Sequence, residues 1–319
     1  MRNYTCKIFK YFLYKLIILL SLFYASSASA IKVLSYNICW ECMSNAKTGS
    51  AKALGQQCPY NAKNPKLTIC ADNIAKQIDN ISKEYGGLST PFDFVGLQEN
   101  ENWQQLKENS AALKDLTTAG GNGFAVSFYD GKKYSKPQII ESKFESGRPV
   151  QILIFKENII FVNLHAPHTA AYKGSTLKKY LEEKLSSILS QKISKIDALK
   201  NHRIIIVGDF NDHHSSLFDD DKNKKYFVPF RNAGLLTPVY LASPAPWNPP
   251  ILKEEMLSCC STQVPYNKKK LMPSDYIFDS KEKTPANFKS IRLKVPSVYD
   301  YNLPTSDHLP IIYKTTEIQ

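Results

Sequence analysis

His202-Arg203-Ile204-Ile205-Ile206-Val207-Gly208-Asp209-Phe210-Asn211-Asp212 is the stretch that decides the fold. An unbroken run of β-branched apolar residues, Ile204 to Val207, describes a strand buried on both faces. Gly208 closes the run, and the strand's carboxyl end then delivers a carboxylate, Asp209, and an amide, Asn211. An i, i+2 spacing puts both on one face unless a turn re-aims them. Side-chain oxygens suit a hard cation such as Mg²⁺, and an amide holds a phosphate or a water without adding negative charge. Taken alone, the stretch fits equally well a buried strand closing in an Asx turn.

Working outward, the same arrangement recurs. Ile31 to Asn37 reads as a strand ending in a polar residue, and Phe92 to Glu99 as a second buried strand ending in an acid. Val150 to Phe155 and Ile159 to Leu164 form a predicted hairpin around Lys156-Glu157-Asn158, running into His165. Phe124 to Phe128 and Gln138 to Glu141 are weaker strands, Ser274 to Phe278 starts another, and Leu309 to Tyr313 is the last. Ile74, Ile78, Ile81 and Tyr85 fall at helical spacing, and a long helix is expected from Thr176 to about Leu199. The polar, proline-punctuated segment from Cys39 to Cys70 reads as a stapled loop. Apolar strands that repeatedly end in Asn37, Glu99, His165 and Asp209 would converge on one rim, where a rigid sheet can hold catalytic groups.

The first thirty residues carry Arg2, Lys7, Lys10 and Lys15, no acid, an apolar stretch from Leu16 to Tyr24, and Ala28-Ser29-Ala30. This is the pattern of a secretory signal peptide cut after Ala30, the apolar run being short for a retained membrane anchor. A secreted or periplasmic protein is therefore expected, with 31–319 as one domain free of linkers or repeats. Removing the segment lowers the formal net charge from +12 to +8. Six cysteines remain, Cys39, Cys42, Cys58, Cys70, Cys259 and Cys260. Disulfides are the expectation for an exported chain. A zinc site of Cys39 and Cys42 with the adjacent Cys259 and Cys260 matches usual ligand spacing poorly.

Six short pieces then line up in order: Ser35-Tyr36-Asn37, Leu97-Gln98-Glu99, Asn163-Leu164-His165, Gly208-Asp209-Phe210-Asn211, Ser274-Asp275-Tyr276-Ile277 and Ser306-Asp307-His308-Leu309-Pro310. On these the chain resembles the endonuclease/exonuclease/phosphatase superfamily, closest to its DNase I and cytolethal distending toxin branches, over nearly all of the mature chain. The resemblance implies a four-layer α/β/β/α sandwich of two packed mixed sheets flanked by helices. It also implies a divalent metal, Mg²⁺ first and Mn²⁺ or Ca²⁺ as alternatives, held by Glu99, with Asp307 and the nearby Asn37 completing or adjoining the shell. Asp209 and Asn211 would align the attacking water and the phosphate. His308, oriented by Asp275, would serve as general base or phosphate stabiliser, and His165 as general acid or phosphate ligand. The acid that partners the first histidine in DNase I has no evident counterpart, Asp130 and Glu141 being the nearest candidates. Arg148-Pro149 resembles the Arg-Pro before the equivalent strand, where the guanidinium contacts substrate phosphate.

These residue types make chemical sense together. Phosphodiester hydrolysis needs an activated water, charge neutralisation on the phosphoryl oxygens and a proton for the leaving oxygen. For the substrate, a basic chain favours a polyanion, and Lys268-Lys269-Lys270 shortly before Asp275 suggest a basic loop over the site. Pro273-Ser274-Asp275-Tyr276 stands where inositol 5-phosphatases have Trp-Cys-Asp-Arg. The expectation is a secreted nuclease acting on nucleic acid, DNA before RNA, as a monomer without a stable protein partner. The alternative is a sphingomyelinase-type or phosphoinositide phosphoesterase. Only that reading needs membrane contact, for which Trp247 is a candidate.

Overall fold

In the computed structural model the described residues are 30–46, 48–49, 51–86, 92–121, 124–168, 176–212, 226–242, 274–281 and 302–315. From the amino end come β1 (Lys32–Asn37), α1 (Trp40–Ser44), α2 (Lys52–Gly55), β2 (Tyr60–Asn61), β3 (Asn64–Thr68), α3 (Ile69–Gly86) and β4 (Phe94–Gln98). Next are α4 (Trp103–Asn109), α5 (Ala111–Lys114), β5 (Thr117–Ala119), β6 (Ala125–Tyr129), β7 (Gln138–Lys143), β8 (Pro149–Phe155) and β9 (Ile159–His165). The remainder is α6 (Leu177–Lys192), β10 (Arg203–Asp209), β11 (Tyr226–Phe227), β12 (Val239–Leu241), β13 (Asp275–Asp279) and β14 (Ile311–Lys314).

Two large sheets result, ordered β14-β1-β4-β6-β5 and β11-β12-β13-β10-β9-β8-β7. Each contains one parallel pair, β1 with β4 and β9 with β10. A parallel pair needs a crossover, and α3 and α6 supply them. Ile74, Ile78 and Ile81 of α3 pack with Leu34, Tyr36, Val95 and Leu97, covering the outer face of the first sheet. Leu181, Leu185 and Leu189 of α6 join the core of the second. Between the sheets lie Phe94, Phe155 and Phe161, the Phe94 and Phe161 rings stacked with centroids 5.1 Å apart. This is the expected four-layer α/β/β/α sandwich.

Both parallel pairs end at the same rim, and β13 and β14, antiparallel to their neighbours, begin there. Along each central strand the residues facing the other sheet change from apolar to polar towards that rim: Phe94, Gly96, Gln98; Phe161, Asn163, His165; Ile205, Val207, Asp209. Gln98 donates to Asn163 Oδ1 at 2.8 Å, so the sheets meet through amides just below the site.

Two expectations need correction, and one segment without an assignment gains elements. The Cys39 to Cys70 segment is not a plain loop: it folds as α1, α2 and the β2–β3 ribbon, tied by Cys39–Cys42 and Cys58–Cys70 pairs with Cα atoms 5.3 and 5.2 Å apart. The long helix stops at Lys192, because Ile193 takes extended backbone (φ −123°, ψ 114°) and Ile196 enters the core from a separate 3₁₀ turn. The segment between β4 and β6, unassigned from sequence, carries α4, α5 and edge strand β5. Among the described residues no helix is long and apolar enough to cross a membrane.

Candidate active site

Asp209 reaches the rim because the backbone turns at Gly208 (φ +150°), where a Cβ would lie 1.9 Å from Leu164 O; only glycine lets β10 pass so close to β9. Its Oδ1 accepts from Ser274 Oγ at 2.6 Å and from Asn211 N at 2.8 Å. Its Oδ2 accepts from Asn37 Nδ2 at 3.0 Å and lies 3.3 Å from His165 Nε2 and 3.7 Å from His308 Nε2. Burial alone would raise this carboxyl, but His308 and His165, with the Ser274 hydroxyl, hold it well below the carboxylate range. Asp209 is therefore an anion with two imidazoles beside one oxygen.

Asn37 is the junction. Its Nδ2 also lies 3.4 Å from Glu99 Oε1 and 3.4 Å from His308 Nε2, while its Oδ1 accepts from Cys39 N at 3.1 Å. It adjoins the carboxylates through its donor side. Glu99 follows β4 in left-handed backbone (φ 59°), which turns the carboxylate back over the strand end. There its Oε2 accepts from Trp40 N at 3.1 Å, and its Oε1 sits 3.5 Å from Arg148 Nη1.

His308 is buried, with Nδ1 2.9 Å from Asp275 Oδ2. Burial opposes its charge, yet Asp275, Asp307 and Asp209 outweigh burial and raise the imidazole well above its ordinary value, so it is an imidazolium. Of the two roles implied for His308, that charge state favours donation to a phosphoryl oxygen. Asp307 is the converse case. Burial and the Glu99, Glu41 and Asp209 carboxylates, only partly offset by His308, push it up to about 7.

Which donors suit a cation follows from this imbalance. Asp209, Asp275 and His308 have potential ligand atoms within 4.8 Å of one another. That trio, however, is already closed by the His308–Asp275 contact and carries the imidazolium. Around Glu99 and Asp307 the negative charge is in excess, and the donors are oxygens, as a hard divalent ion prefers. Glu99 and Asp307 fit the metal, with Asn37 adjoining.

His165 ends β9, and the Arg148 guanidinium lies against its ring, contacting both nitrogens, at 2.8 Å from Nδ1. The carboxylates beside His165 are Asp209 and, at 3.8 Å, Glu99. Neither sequence candidate takes that place: Asp130 accepts from Lys132 N, and Glu141 from Gly121 N and Gln151 Nε2. Asn211, in left-handed backbone (φ 50°), spends its Nδ2 on Ala166 O at 2.7 Å and braces the loop after β9. Arg148 also meets His168 at 3.1 Å, which brings that histidine to the rim.

The structure thus gathers Asn37, Glu99, Arg148, His165, Asp209, Asn211, Asp275, Asp307 and His308 at one end of the sandwich. Lys268, Lys269 and Lys270, with His213, His214, Trp247, Cys259, Cys260 and residues 1–29, lie outside the described residues. Three contributors had no role assigned from sequence. Ser274 donates to Asp209 Oδ1, Ser306 accepts from His308 N and donates to Asn37 O, and Glu41 crowds Asp307. The paired Ser-Asp steps at 274–275 and 306–307 were a usable signal for the two serines.

This sheet order and site define the fold of the endonuclease/exonuclease/phosphatase superfamily, the DNase I-like fold. Truncated TDP2 of Caenorhabditis elegans shares it with a TM-score of 0.51 and 13% identity, over 89% of this chain and 97% of that one. An endonuclease/exonuclease/phosphatase family protein of Bacteroides thetaiotaomicron aligns over 90% of this chain and 97% of that chain, with 19% identity and a TM-score of 0.48. No protein-family model matches the chain. An uncharacterized protein of Acanthamoeba polyphaga mimivirus is 33% identical over 193 residues, 57% of this chain and 35% of that protein. The chain thus spans about a third of that relative's length.

Proposed function

We propose that the chain is a divalent-metal-dependent phosphodiesterase that hydrolyses nucleic acid, DNA in preference to RNA, after export from the cell. One observation carries the activity. Asp209, an anion, sits between His165 and His308 and is tied through Asn37 to Glu99, so a water, a phosphate and a proton route share one buried rim. Glu99 and Asp307 would hold the metal, which neutralises charge on the phosphoryl oxygens when bound.

The remaining work falls to side chains. Asp209 fixes the direction of the attacking water, whose proton passes by way of the carboxylate Oδ2 to His165 Nε2, 3.3 Å away, and from there to the leaving oxygen. His308, charged and braced by Asp275, donates from Nε2 to a phosphoryl oxygen, stabilising charge that develops in the transition state. Arg148 supplies a guanidinium fork to the phosphate, and His165, between Arg148 and Asp209, faces the leaving oxygen. The basic chain supports a polyanionic substrate, and the paired cysteines and basic-apolar leader support export.

Purified protein offered plasmid DNA, RNA and sphingomyelin, each with Mg²⁺ or with EDTA, tests the reading. DNA should be cut with Mg²⁺ only, and the Glu99→Gln variant should not cut it. Turnover of sphingomyelin alone would overturn the nuclease assignment.

A further inference from the structure

Cys39 follows β1 in left-handed backbone (φ 57°), a costly conformation for a residue with a side chain, which persists only where its surroundings impose it. The turn aims two successive amides at the rim. Cys39 N donates to Asn37 Oδ1 at 3.1 Å, and Trp40 N donates to Glu99 Oε2 at 3.1 Å. The first bond decides which way the Asn37 amide faces. With Oδ1 engaged, Nδ2 is turned to Asp209 Oδ2 at 3.0 Å and Glu99 Oε1 at 3.4 Å. The second bond fixes one oxygen of the Glu99 carboxylate, whose own backbone is left-handed (φ 59°). One turn thus orients Glu99 and the amide that adjoins it.

What imposes the turn is local. Helix α1 has five residues, too few to hold itself by helical propensity. Its carboxyl half is anchored to the rest of the molecule: Thr68 Oγ1 donates to Cys42 O at 2.6 Å and Asn102 Nδ2 to Met43 O at 3.2 Å. Cys39 and Cys42 lie across its first turn, both fully buried, with Cα atoms 5.3 Å apart and Cys42 N donating to Cys39 Sγ at 3.3 Å. Together with the helical bonds from Cys42 N and Met43 N to Cys39 O, this link carries the anchorage back to Cys39. The Cys58–Cys70 pair joins the loop after α2 to the first turn of α3 instead.

We propose that an oxidised Cys39–Cys42 disulfide is a positioning device for the metal site, holding the Cys39 and Trp40 amides on Asn37 and Glu99 so that metal affinity depends on its redox state. The inference rests on the assignment of the metal to Glu99 and Asp307 above. Forming the bond joins the two sulfurs and passes two electrons and two protons to a disulfide oxidant, which leaves as a dithiol. Reduction frees Cys39 to relax to ordinary backbone, which withdraws both donors, and Glu99 then meets a cation as an unbraced carboxylate. A chain exported as proposed reaches its full metal affinity only in an oxidising compartment, and is a weak nuclease in the reducing one where it is made.

The test is calorimetric titration with Mn²⁺ of wild type, Cys39→Ser/Cys42→Ser and Cys58→Ser/Cys70→Ser, below the melting transition of each. Losing a group that orients a metal ligand weakens binding about 10–100-fold. The first double variant should therefore bind Mn²⁺ at least about tenfold more weakly than wild type, and the second within about twofold of it. Wild type reduced with dithiothreitol and then freed of it should show the same weakening, reversed by oxidised glutathione. Alkylation and mass spectrometry confirm that Cys39 and Cys42 are thiols in that sample, and this arm serves even where a serine variant does not fold. A bond that only staples the fold would lower the melting temperature and leave the dissociation constant alone, which would overturn the proposal. Free Cys39 and Cys42 thiols in protein collected without reductant would overturn it too, with the metal assignment intact. Oxidised wild type that binds no Mn²⁺ would remove the metal assignment itself, and the proposal with it.

Discussion

The same strands carry a buried charged network at each end, and the two are built on opposite principles. At the end away from the site, Asp279 accepts from Arg203 Nε at 2.9 Å, Lys281 N at 3.0 Å and Tyr313 OH at 2.7 Å. Asp93 there accepts from Lys32 N at 2.7 Å, Lys133 Nζ at 2.5 Å and Tyr134 OH at 3.0 Å. Each acid has a cation and further donors, the condition under which buried charge is tolerated. At the rim, Glu99, Asp209, Asp275, Asp307 and the nearby Glu41 face one another across two histidines, and Asp307 is driven up to about 7. A balanced network fixes the sheets together; an unbalanced one is completed by a ligand.

The difference is broken most sharply at His308 and His165. Changing either to Ala should cut kcat per folded molecule by about 10²–10⁴, the usual worth of a placed proton donor or acceptor. A loss under tenfold in both variants would mean that the rim does not do the chemistry described.

At the other end the effect should appear in stability. Asp279→Ala leaves the half-buried Arg203 guanidinium without its carboxylate, and such a break costs up to about 3 kcal/mol, the low end for a fully buried pair. Urea denaturation measures it, while kcat per folded molecule should stay within about twofold of wild type. Equal stability with impaired turnover would show that the two ends are not functionally separate.

Metal and pH address the imbalance directly. Mn²⁺ at about a hundred times its dissociation constant should stabilise the wild type by about 2.7 kcal/mol, and Glu99→Gln should abolish the gain. Without metal, Asp307 binds its proton more tightly folded than unfolded, since its pKa rises from 3.8 to about 7. Its stabilising contribution is therefore full below about pH 4 and is lost as pH rises to 7. His308, also raised, acts with the same sign only above its ordinary value of 6.5. Between about pH 4.5 and 6.5 the wild type should thus lose stability relative to Asp307→Asn. Parallel pH curves in thermal denaturation would contradict the crowding of carboxylates at Asp307.

Strand ends were the legible part of this chain. The run Ile204–Val207 and its Gly208 stop give β10 almost to the residue, because a strand buried on both faces has few other ways to be written. What escaped were elements whose cause is tertiary. Strand β5 is an edge of only three residues, Thr117–Ala119, and β12 lies inside a proline-rich stretch where local propensity argues against pairing. At the site, the identities Glu99, Asp209 and His308 were readable, but their charge states were not. Those depend on how four strands and two loops crowd five carboxylates around two imidazoles. His165 shows the same gap, since the arginine against its ring comes from the turn before β8.

The smallest effect expected sharpens the comparison at its outer edge. Lys268, Lys269 and Lys270 shortly precede Ser274 and Asp275, hence the rim end of β13, whereas Lys133 at the opposite end is consumed by Asp93. If the three lysines meet a nucleic-acid backbone, each phosphate neutralised contributes about −0.9 to the slope of log affinity against log salt. Changing all three to Ala should flatten that slope by at most about 3 and raise KM, with kcat near wild type, because the lysines would act on encounter rather than on the reacting atoms. Cleavage of plasmid DNA across a salt series measures it. Parallel salt curves for wild type and triple variant would place the lysines away from the substrate, and the polyanion preference would then have to come from Arg148 and the rest of the basic surface.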